Sequence, residues 1–258
     1  MRILITNDDG IESPGLAILE RVAADMADEV WVVAPETDQS GLSHSLTLGD
    51  PLRIRTLGNR RFALRGTPSD CVIMATRRII GAQPDLILSG VNVGQNAADD
   101  VTYSGTVAGA IEGTLIGVPS ISFSLAYDYE GDGEPHWETA EAYAPRVIQS
   151  LLDFGFPGGV LYNVNFPDVS TDHVGGIEGT KQGRLIHSLF IDERTDPRGM
   201  KYYWLSYRRQ VSERVPGTDL HAINTGAVSV TPMRLDLTDH ELAGHLERHF
   251  ANNRGTSA

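Results

Sequence analysis

Short apolar runs alternate with helical patterns through the first 155 residues or so of this chain. The run at residues 2–6 precedes Ser13-Pro14, a cap-plus-proline helix start, and apolar residues then follow at helical spacing. A second run covers residues 30–34. Buried strands that alternate with helices favour a parallel sheet covered on both faces. The sequence therefore predicts an α/β fold with a doubly wound, mostly parallel sheet.

The same reasoning predicts the other elements of this region from apolar runs, proline caps and closing glycines. They are a hairpin over 52–65 that turns near Gly58-Asn59, a helix from Thr67-Pro68 to about Ile80, a strand over 86–89, a helix from Ser104 to Gly117, a strand over 120–125 and a helix over 139–154.

The pattern changes after Val160, where helical crossovers are missing. Residues 185–192 and 200–211 read as two long strands joined by a polar turn at 194–199. This predicts a β-hairpin extension that projects from the sheet and serves assembly more than catalysis. A short strand at 228–230 and a helix at 239–250 complete the expected elements.

Composition limits the possible partners. The formal net charge is −13, from 21 basic and 34 acidic residues, and such a surface repels polyphosphate backbones. We therefore expect no nucleic-acid polymer as a partner. No apolar run reaches the ~18 residues that span a bilayer, the N-terminus does not read as a secretory signal, and Cys71 is the single cysteine. These features predict a soluble, cytoplasmic protein without a membrane partner.

Three polar loops directly follow predicted strands, at residues 7–10, 36–43 and 90–104. In open parallel sheets, ligands bind in the crevice beyond the carboxyl ends of the strands. We expect the three loops to meet there.

Asp8 and Asp9 are adjacent carboxylates directly after the first strand. At ~4 Å and an effective dielectric near 20, two such charges repel by roughly 4 kcal/mol. A hard divalent cation, Mg²⁺ or Mn²⁺, would turn this repulsion into binding. Ser40 and Asn92 offer neutral oxygens from the next two loops. The alternative interpretation of Asp9-Gly10 is an ordinary turn beside a solvated Asp8.

Ser104-Gly105-Thr106 opens a helix with hydroxyls and exposed backbone N–H groups. A phosphate bound there would gain hydrogen bonds and the positive end of the helix dipole. The alternative is an ordinary helix cap. No glycine-rich loop ends in Gly-Lys-Ser or Gly-Lys-Thr. His44 reads as a loop histidine that contacts backbone rather than as a catalytic group.

The chain resembles the SurE family, the stationary-phase survival proteins that are 5'/3'-nucleotidases, over nearly its whole length. The resemblance is carried by residues 1–10 with Asn7-Asp8-Asp9-Gly10, by Ala34-Pro35 through Gln39-Ser40-Gly41, by Gly66-Thr67-Pro68-Ser69-Asp70-Cys71, by Ser89-Gly90-Val91-Asn92-Val93-Gly94 and Tyr103-Ser104-Gly105-Thr106, and by residues 196–199, 202–204 and 228–232.

The resemblance implies a Rossmann-like core at residues 1–155 and a C-terminal part at 156–258 with a swapped tail, within one SurE-like domain of a homodimer or homotetramer. It implies hydrolysis of nucleoside 5'- and 3'-monophosphates, and of short polyphosphate in some members. The implied ligands of one divalent metal ion are Asp8, Asp9, Ser40 and Asn92. The implied phosphate contacts are Asn96, Ser104, Gly105 and Thr106.

The expected mechanism uses a metal and the N-terminus of the helix to hold the phosphoryl oxygens. Asp8 and Asp9 are the expected catalytic residues, and either could accept a proton from the attacking water. Two alternatives stay open at this point. Asp8 could form a covalent aspartyl-phosphate, or the site could sense nucleotides without hydrolysing them.

Overall fold

The computed structural model describes residues 1–127, 133–210 and 215–253 of the chain. Its strands are β1 Arg2–Thr6, β2 Glu29–Pro35, β3 Arg53–Gly58, β4 Arg61–Arg65, β5 Leu86–Val93, β6 Ser120–Leu125, β7 Val160–Phe166, β8 Ile177–Gly179, β9 Ile186–Thr195, β10 Lys201–Gln210 and β11 Val228–Arg234. Its α-helices are α1 Pro14–Met26, α2 Pro68–Met74, α3 Gly105–Leu115, α4 Trp137–Phe154, α5 Asp219–Asn224 and α6 His240–Asn253.

Nine strands form one sheet in the order β3-β4-β2-β1-β5-β6-β7-β11-β8. Every neighbouring pair from β4 to β7 is parallel, whereas β3 and β11 run antiparallel to β4 and β7. The six parallel strands have the order of a doubly wound dinucleotide-binding sheet. In such a sheet the strands are added outward in one direction from β1 and then in the opposite direction from β5, so the order reverses between these two strands. The predicted α/β fold is confirmed, and the reversal lies beside the loop that carries Asp8 and Asp9.

Helices cover both faces of the sheet. Helices α1 and α4 pack against each other and bury one face with the largest apolar cluster of the described core. Helices α2 and α3 pack together on the other face, where a second cluster includes Cys71. Helix α1 begins as the sequence predicts, because the Ser13 hydroxyl accepts a hydrogen bond from the Leu16 N–H and Pro14 occupies the first turn.

Helix α3 lies unusually close to the sheet because three glycines, at intervals of four, face the strands. A Cβ at Gly109 would lie 2.7 Å from the Ser89 Oγ, and one at Gly113 would lie 2.3 Å from the Ser120 Oγ. Gly105, one turn earlier, lies against Asp8 at the end of β1. The stripe of glycines therefore brings the N-terminus of α3 to the carboxyl end of the sheet.

Several elements differ from the sequence-based expectations. Strand β5 continues through Val93, so Asn92 lies in the strand and not in a loop as predicted. The pairing of β5 with β6 shifts register between Ser89 and Asn92 and then resumes, a shift that no apolar pattern encodes. Strands β7 and β8 and helix α5 were not predicted, since Asn163 and Asn165 interrupt the apolar run of β7 and the other two elements are short.

The predicted C-terminal hairpin is confirmed: β9 and β10 pair only with each other in the described structure, from Lys201–Thr195 to Gln210–Ile186. Tyr203, Trp204 and Leu205 are more than half exposed on it. The predicted final helix is α6. No helix within the described ranges is long and apolar enough to cross a membrane.

Candidate metal and phosphate site

The loop after β1 is fixed by the Asn7 side chain. Its Nδ2 donates to the Gly10 carbonyl at 2.9 Å and to the Ser13 Oγ at 2.7 Å, which ties the end of β1 to the start of α1. The Asn7 Oδ1 is buried without a hydrogen-bond partner among the described residues. This arrangement holds Asp8 and Asp9 at the crevice between β1 and β5.

Asp8 is almost completely buried, with 3% of its surface exposed. Its Oδ1 accepts a hydrogen bond from the hydroxyl of Thr106, in the first turn of α3. Burial raises the pKa of Asp8 above its ordinary value, although the bond from Thr106 opposes this effect. The carboxylate therefore sits where its negative charge is costly without a nearby cation.

Asp9 is more open and contacts the neighbouring strand. Its Oδ2 accepts a hydrogen bond from the backbone N–H of Val93 at 3.3 Å. Burial, followed by the negative charge of Asp8, raises the pKa of Asp9 to about 7. The negative charge of Asp8 thus disfavours the charged form of its neighbour Asp9, in line with the repulsion that the sequence predicts.

Asp38 is a third carboxylate at this edge, and the sequence reasoning missed it. Its charge contributes to the raised pKa values of both Asp8 and Asp9. Its Oδ1 accepts hydrogen bonds from the Ser40 backbone N–H at 2.8 Å and from the Ser40 Oγ at 2.6 Å. The Gln39 N–H binds the Asp8 carbonyl at 2.8 Å, which brings this loop to Asp8. Nothing in the local pattern distinguishes Asp38 from other loop aspartates.

The oxygen atoms of these three carboxylates fit a hard divalent cation. Within the described ranges, Asp8, Asp9 and Asp38 form no ion pair with a basic side chain. Those ranges also contain no group of three or more His, Cys, Asp or Glu side chains arranged to hold a metal. The remaining ligands of a cation would therefore be neutral oxygens and water, which Mg²⁺ accepts readily.

Asn92 can supply one such oxygen. Its Nδ2 donates to the Gly94 carbonyl at 2.7 Å and to the Val93 carbonyl at 3.1 Å. Since both donor hydrogens are used in this way, the side-chain oxygen is left as the atom that could bind a cation. Ser40 is exposed, and its hydroxyl oxygen keeps lone pairs while its hydrogen binds Asp38.

The predicted phosphate-binding segment opens α3 beside Asp8. The Ser104 Oγ accepts a hydrogen bond from the Val107 N–H at 3.0 Å, so Ser104 is also the helix cap. The Thr106 hydroxyl binds Asp8, and it thereby supports the carboxylate. In the described structure, the Ser104 hydroxyl hydrogen and the Gly105 N–H are left to bind an anion.

Asn96 belongs to a buried amide network. Its Nδ2 donates to the Ser124 Oγ at 2.8 Å, and its N–H donates to the Asn165 Oδ1 at 2.8 Å. Its carbonyl accepts from Asn163 at 2.7 Å and from Asn165 at 3.1 Å. The network fixes the loop between β5 and α3. Asn163 and Asn165 were missed, although two fully buried asparagines in an apolar strand are a usable signal.

His44 contacts a side chain and not the backbone, contrary to the expectation. Its Nε2 lies 3.0 Å from the Oε2 of Glu112, on α3. Ser43, before it, donates its hydroxyl to the Thr102 carbonyl at 2.7 Å. These contacts hold the loop after β2 against α3, beside the carboxylates.

Comparisons with known proteins agree with this arrangement. The family model described as "Survival protein SurE" matches residues 3–188. The chain is 57% identical over 247 residues to the 5'-nucleotidase SurE of Brucella anthropi, which covers 95% of this chain and 96% of that protein. It is 56% identical to the protein of the same name from Brucella canis, over 95% and 97% of the two chains.

A solved structure shows the same fold. The crystal structure of the SurE protein from Aquifex aeolicus matches with a TM-score of 0.81 and 36% identity, over 96% of this chain and 99% of that one. The sequence segments, the order of the strands and all three comparisons lead to one conclusion: the chain belongs to the SurE family.

Proposed function

We propose that this protein is a divalent-metal-dependent phosphomonoesterase that hydrolyses nucleoside 5'- and 3'-monophosphates to nucleoside and phosphate. The observation that carries the proposal is the pair Asp8 and Asp9, which have no basic partner in the described structure. Asp8 is buried against the N-terminus of α3, and Asp9 is half-buried next to it. The relatives named 5'-nucleotidase SurE support the substrate class.

The cation-binding residues in this proposal are Asp8, Asp9, Ser40 and Asn92. A bound Mg²⁺ or Mn²⁺ would supply charge neutralisation at the phosphoryl group and a more acidic water. The start of α3 and Asn96 would orient the remaining phosphoryl oxygens. This local positive potential lets a protein with a net charge of −13 bind an anionic ester.

Asp9 is the better placed of the two aspartates to accept the proton of the attacking water. Asp8 is held by the Thr106 hydroxyl through Oδ1, whereas Asp9 uses only Oδ2, in a long bond to Val93. Its Oδ1 is therefore left to accept a proton from water, which is the role of a general base.

The proposed assembly is a homodimer or homotetramer. Helix α6 lies on the surface with Leu242, Leu246 and Phe250 at intervals of four, each about half exposed. An apolar stripe of this kind is typical of a helix that packs against another subunit. The swapped tail stays a prediction, as do short polyphosphate as a substrate and the cytoplasmic location.

The assembly is tested by light scattering on the purified full chain. We expect a dimer or tetramer for the wild type and smaller species when Leu242, Leu246 and Phe250 are all changed to Ser. A triple variant that keeps the assembly, or a monomeric wild type, would contradict a role for α6. Glu241→Gln with Glu247→Gln is the matched control on the same helix.

The activity is tested by phosphate release from 5'-AMP, 5'-GMP and 3'-AMP with Mg²⁺, with Mn²⁺ and with EDTA. We expect release with metal only, and its loss in Asp8→Asn and Asp9→Asn. Asp25→Asn, an exposed aspartate on α1, is the matched control and should keep wild-type rates. No release under any condition would favour a sensor, and a trapped aspartyl-phosphate on Asp8 would favour the covalent route.

A further inference from the structure

A cavity of about 510 Å³ opens beside Asp9, on the α1 side of the proposed metal site. This volume lies within the ~300–1,000 Å³ usual for small-molecule sites. Asp9 and Val93, which contact each other at the metal site, both line the cavity. A molecule bound at the metal site could therefore extend directly into this cavity.

Trp137, the first residue of α4, provides an aromatic wall. Its ring packs against α1, because a Cβ at Gly15 would lie 3.1 Å from its Cζ3. It also borders the apolar core on that face of the sheet. The indole is half-buried, so it is held in place while part of it faces the cavity. A fixed aromatic ring is a suitable surface for stacking a planar ligand.

The rest of the wall is acidic. Glu12, Glu36 and Glu134 join Asp9 among the lining residues, and no Lys, Arg or His is among the described residues of the lining. Such a wall repels a second anionic group. It suits an uncharged group that presents N–H or O–H donors, since ionised carboxylates only accept hydrogen bonds.

We propose that this cavity binds the nucleoside of the substrate, with the base stacked on Trp137 and its donors toward the glutamates. This inference rests on the proposed nucleotidase function, and it adds which substrates the enzyme selects. Substrates are favoured when they carry one phosphate and when the alcohol that is released is uncharged and bears an aromatic base. Nucleotides with further phosphates, such as nucleoside triphosphates, are disfavoured by the acidic wall.

The first test uses fluorescence. The chain has three tryptophans, so Trp31→Phe with Trp204→Phe leaves Trp137 as the sole indole. Titration with adenosine should quench its emission saturably, and ribose 5-phosphate should not. Absence of quenching by adenosine, at concentrations where AMP is hydrolysed, would overturn the proposal and leave the nucleotidase function intact. Quenching without any hydrolysis of AMP would overturn only the nucleotidase function.

The second test uses kinetics. Trp137→Leu keeps an apolar side chain but removes the stacking surface, which is worth roughly 5- to 150-fold per base. We expect kcat/KM for AMP to fall by about 10-fold or more, and kcat/KM for ribose 5-phosphate to change by less than about 2-fold. Equal losses for both substrates would show a purely structural role and overturn the proposal, as would an unchanged AMP value. Trp204→Leu, on β10 and outside the cavity lining, is the matched control.

Discussion

Gly105 packs directly against Asp8: a Cβ at Gly105 would lie 2.8 Å from both the Cβ and the Oδ2 of Asp8. The start of α3 and the end of β1 therefore touch at the proposed reaction centre. Because Gly109 and Gly113 continue the close approach along the helix, the position of the phosphate-binding turn is set by the packing of α3 on the sheet.

The substitution Gly105→Ala tests this contact. The added methyl group must displace either the helix or the Asp8 side chain, so we expect a loss of more than about 10-fold in kcat/KM for AMP, with a smaller loss of stability. Steady-state kinetics and thermal unfolding measure the two effects. Gly244→Ala, at a half-buried helical glycine in α6 where an added Cβ meets no atom closer than 3.6 Å, should leave activity unchanged. Activity of Gly105→Ala equal to that of this control would contradict the packing argument.

Thr106 supports Asp8 through its hydroxyl, and conservative variants separate this role from packing. Thr106→Val keeps the shape but removes the hydroxyl that donates to the buried Asp8, at a cost of about 1–3 kcal/mol for the charged form. We expect weaker Mn²⁺ binding at neutral pH and partial recovery of affinity at higher pH. Thr106→Ser retains a hydroxyl and should bind Mn²⁺ within a few-fold of the wild type. Equal affinities of the Val and Ser variants would show that the hydrogen bond has no such role.

Stability of the metal-free protein should depend on pH through Asp9. Its pKa in the folded state is raised to about 7, above the ~3.9 of an unfolded chain, so the folded state holds the proton more tightly. Stability from this group is therefore fully present below about pH 4 and is lost as pH rises from about 4 to 7, by about 4 kcal/mol in all.

Denaturant unfolding in EDTA at pH 5.5 and 8 measures the effect. The loss between the two pH values should be clearly smaller in Asp9→Asn than in the wild type, and saturating Mn²⁺ should restore the wild type at pH 8. Identical pH dependence of both proteins would contradict the raised pKa.

Asp219 is a fully buried carboxylate outside the proposed site. It accepts hydrogen bonds from the backbone N–H groups of Ala98, Gly183 and Leu220, each at 2.8 Å. Asp219→Ala leaves these donors unpaired, so we predict a loss of about 3 kcal/mol or more. Chemical denaturation measures it, with Asp25→Ala on α1 as the exposed comparison. A loss under about 1 kcal/mol would show that water replaces the carboxylate.

Much of the fold is readable because local patterns and tertiary structure agree. Single elements are marked by local features such as the apolar run at β1, the Ser13 cap of α1 and the glycine after α3. The position of Asp8 and Asp9 directly after a buried strand predicts where the crevice lies. The metal-ligand set Asp8, Asp9, Ser40 and Asn92 still awaits an experiment, as do the phosphate contacts.

The remaining features depend on contacts between distant segments. The extension of β5 through Asn92 depends on a register shift against β6, and Asp38 gains its importance only because Gln39 binds the backbone of Asp8. The hydrogen bond from Thr106 to Asp8 joins residues 98 positions apart. No periodicity or local motif encodes such pairs.

The most direct measurement is calorimetric titration of the metal-free full chain with Mn²⁺. If the carboxylates at the end of β1 bind a cation, we expect one Mn²⁺ ion per chain. The affinity should fall at least 10-fold in Asp8→Asn and in Asp9→Asn, and it should be unchanged in Asp25→Asn. Binding of equal strength in the wild type and both variants, or no binding at all, would contradict a cation site at this edge of the sheet.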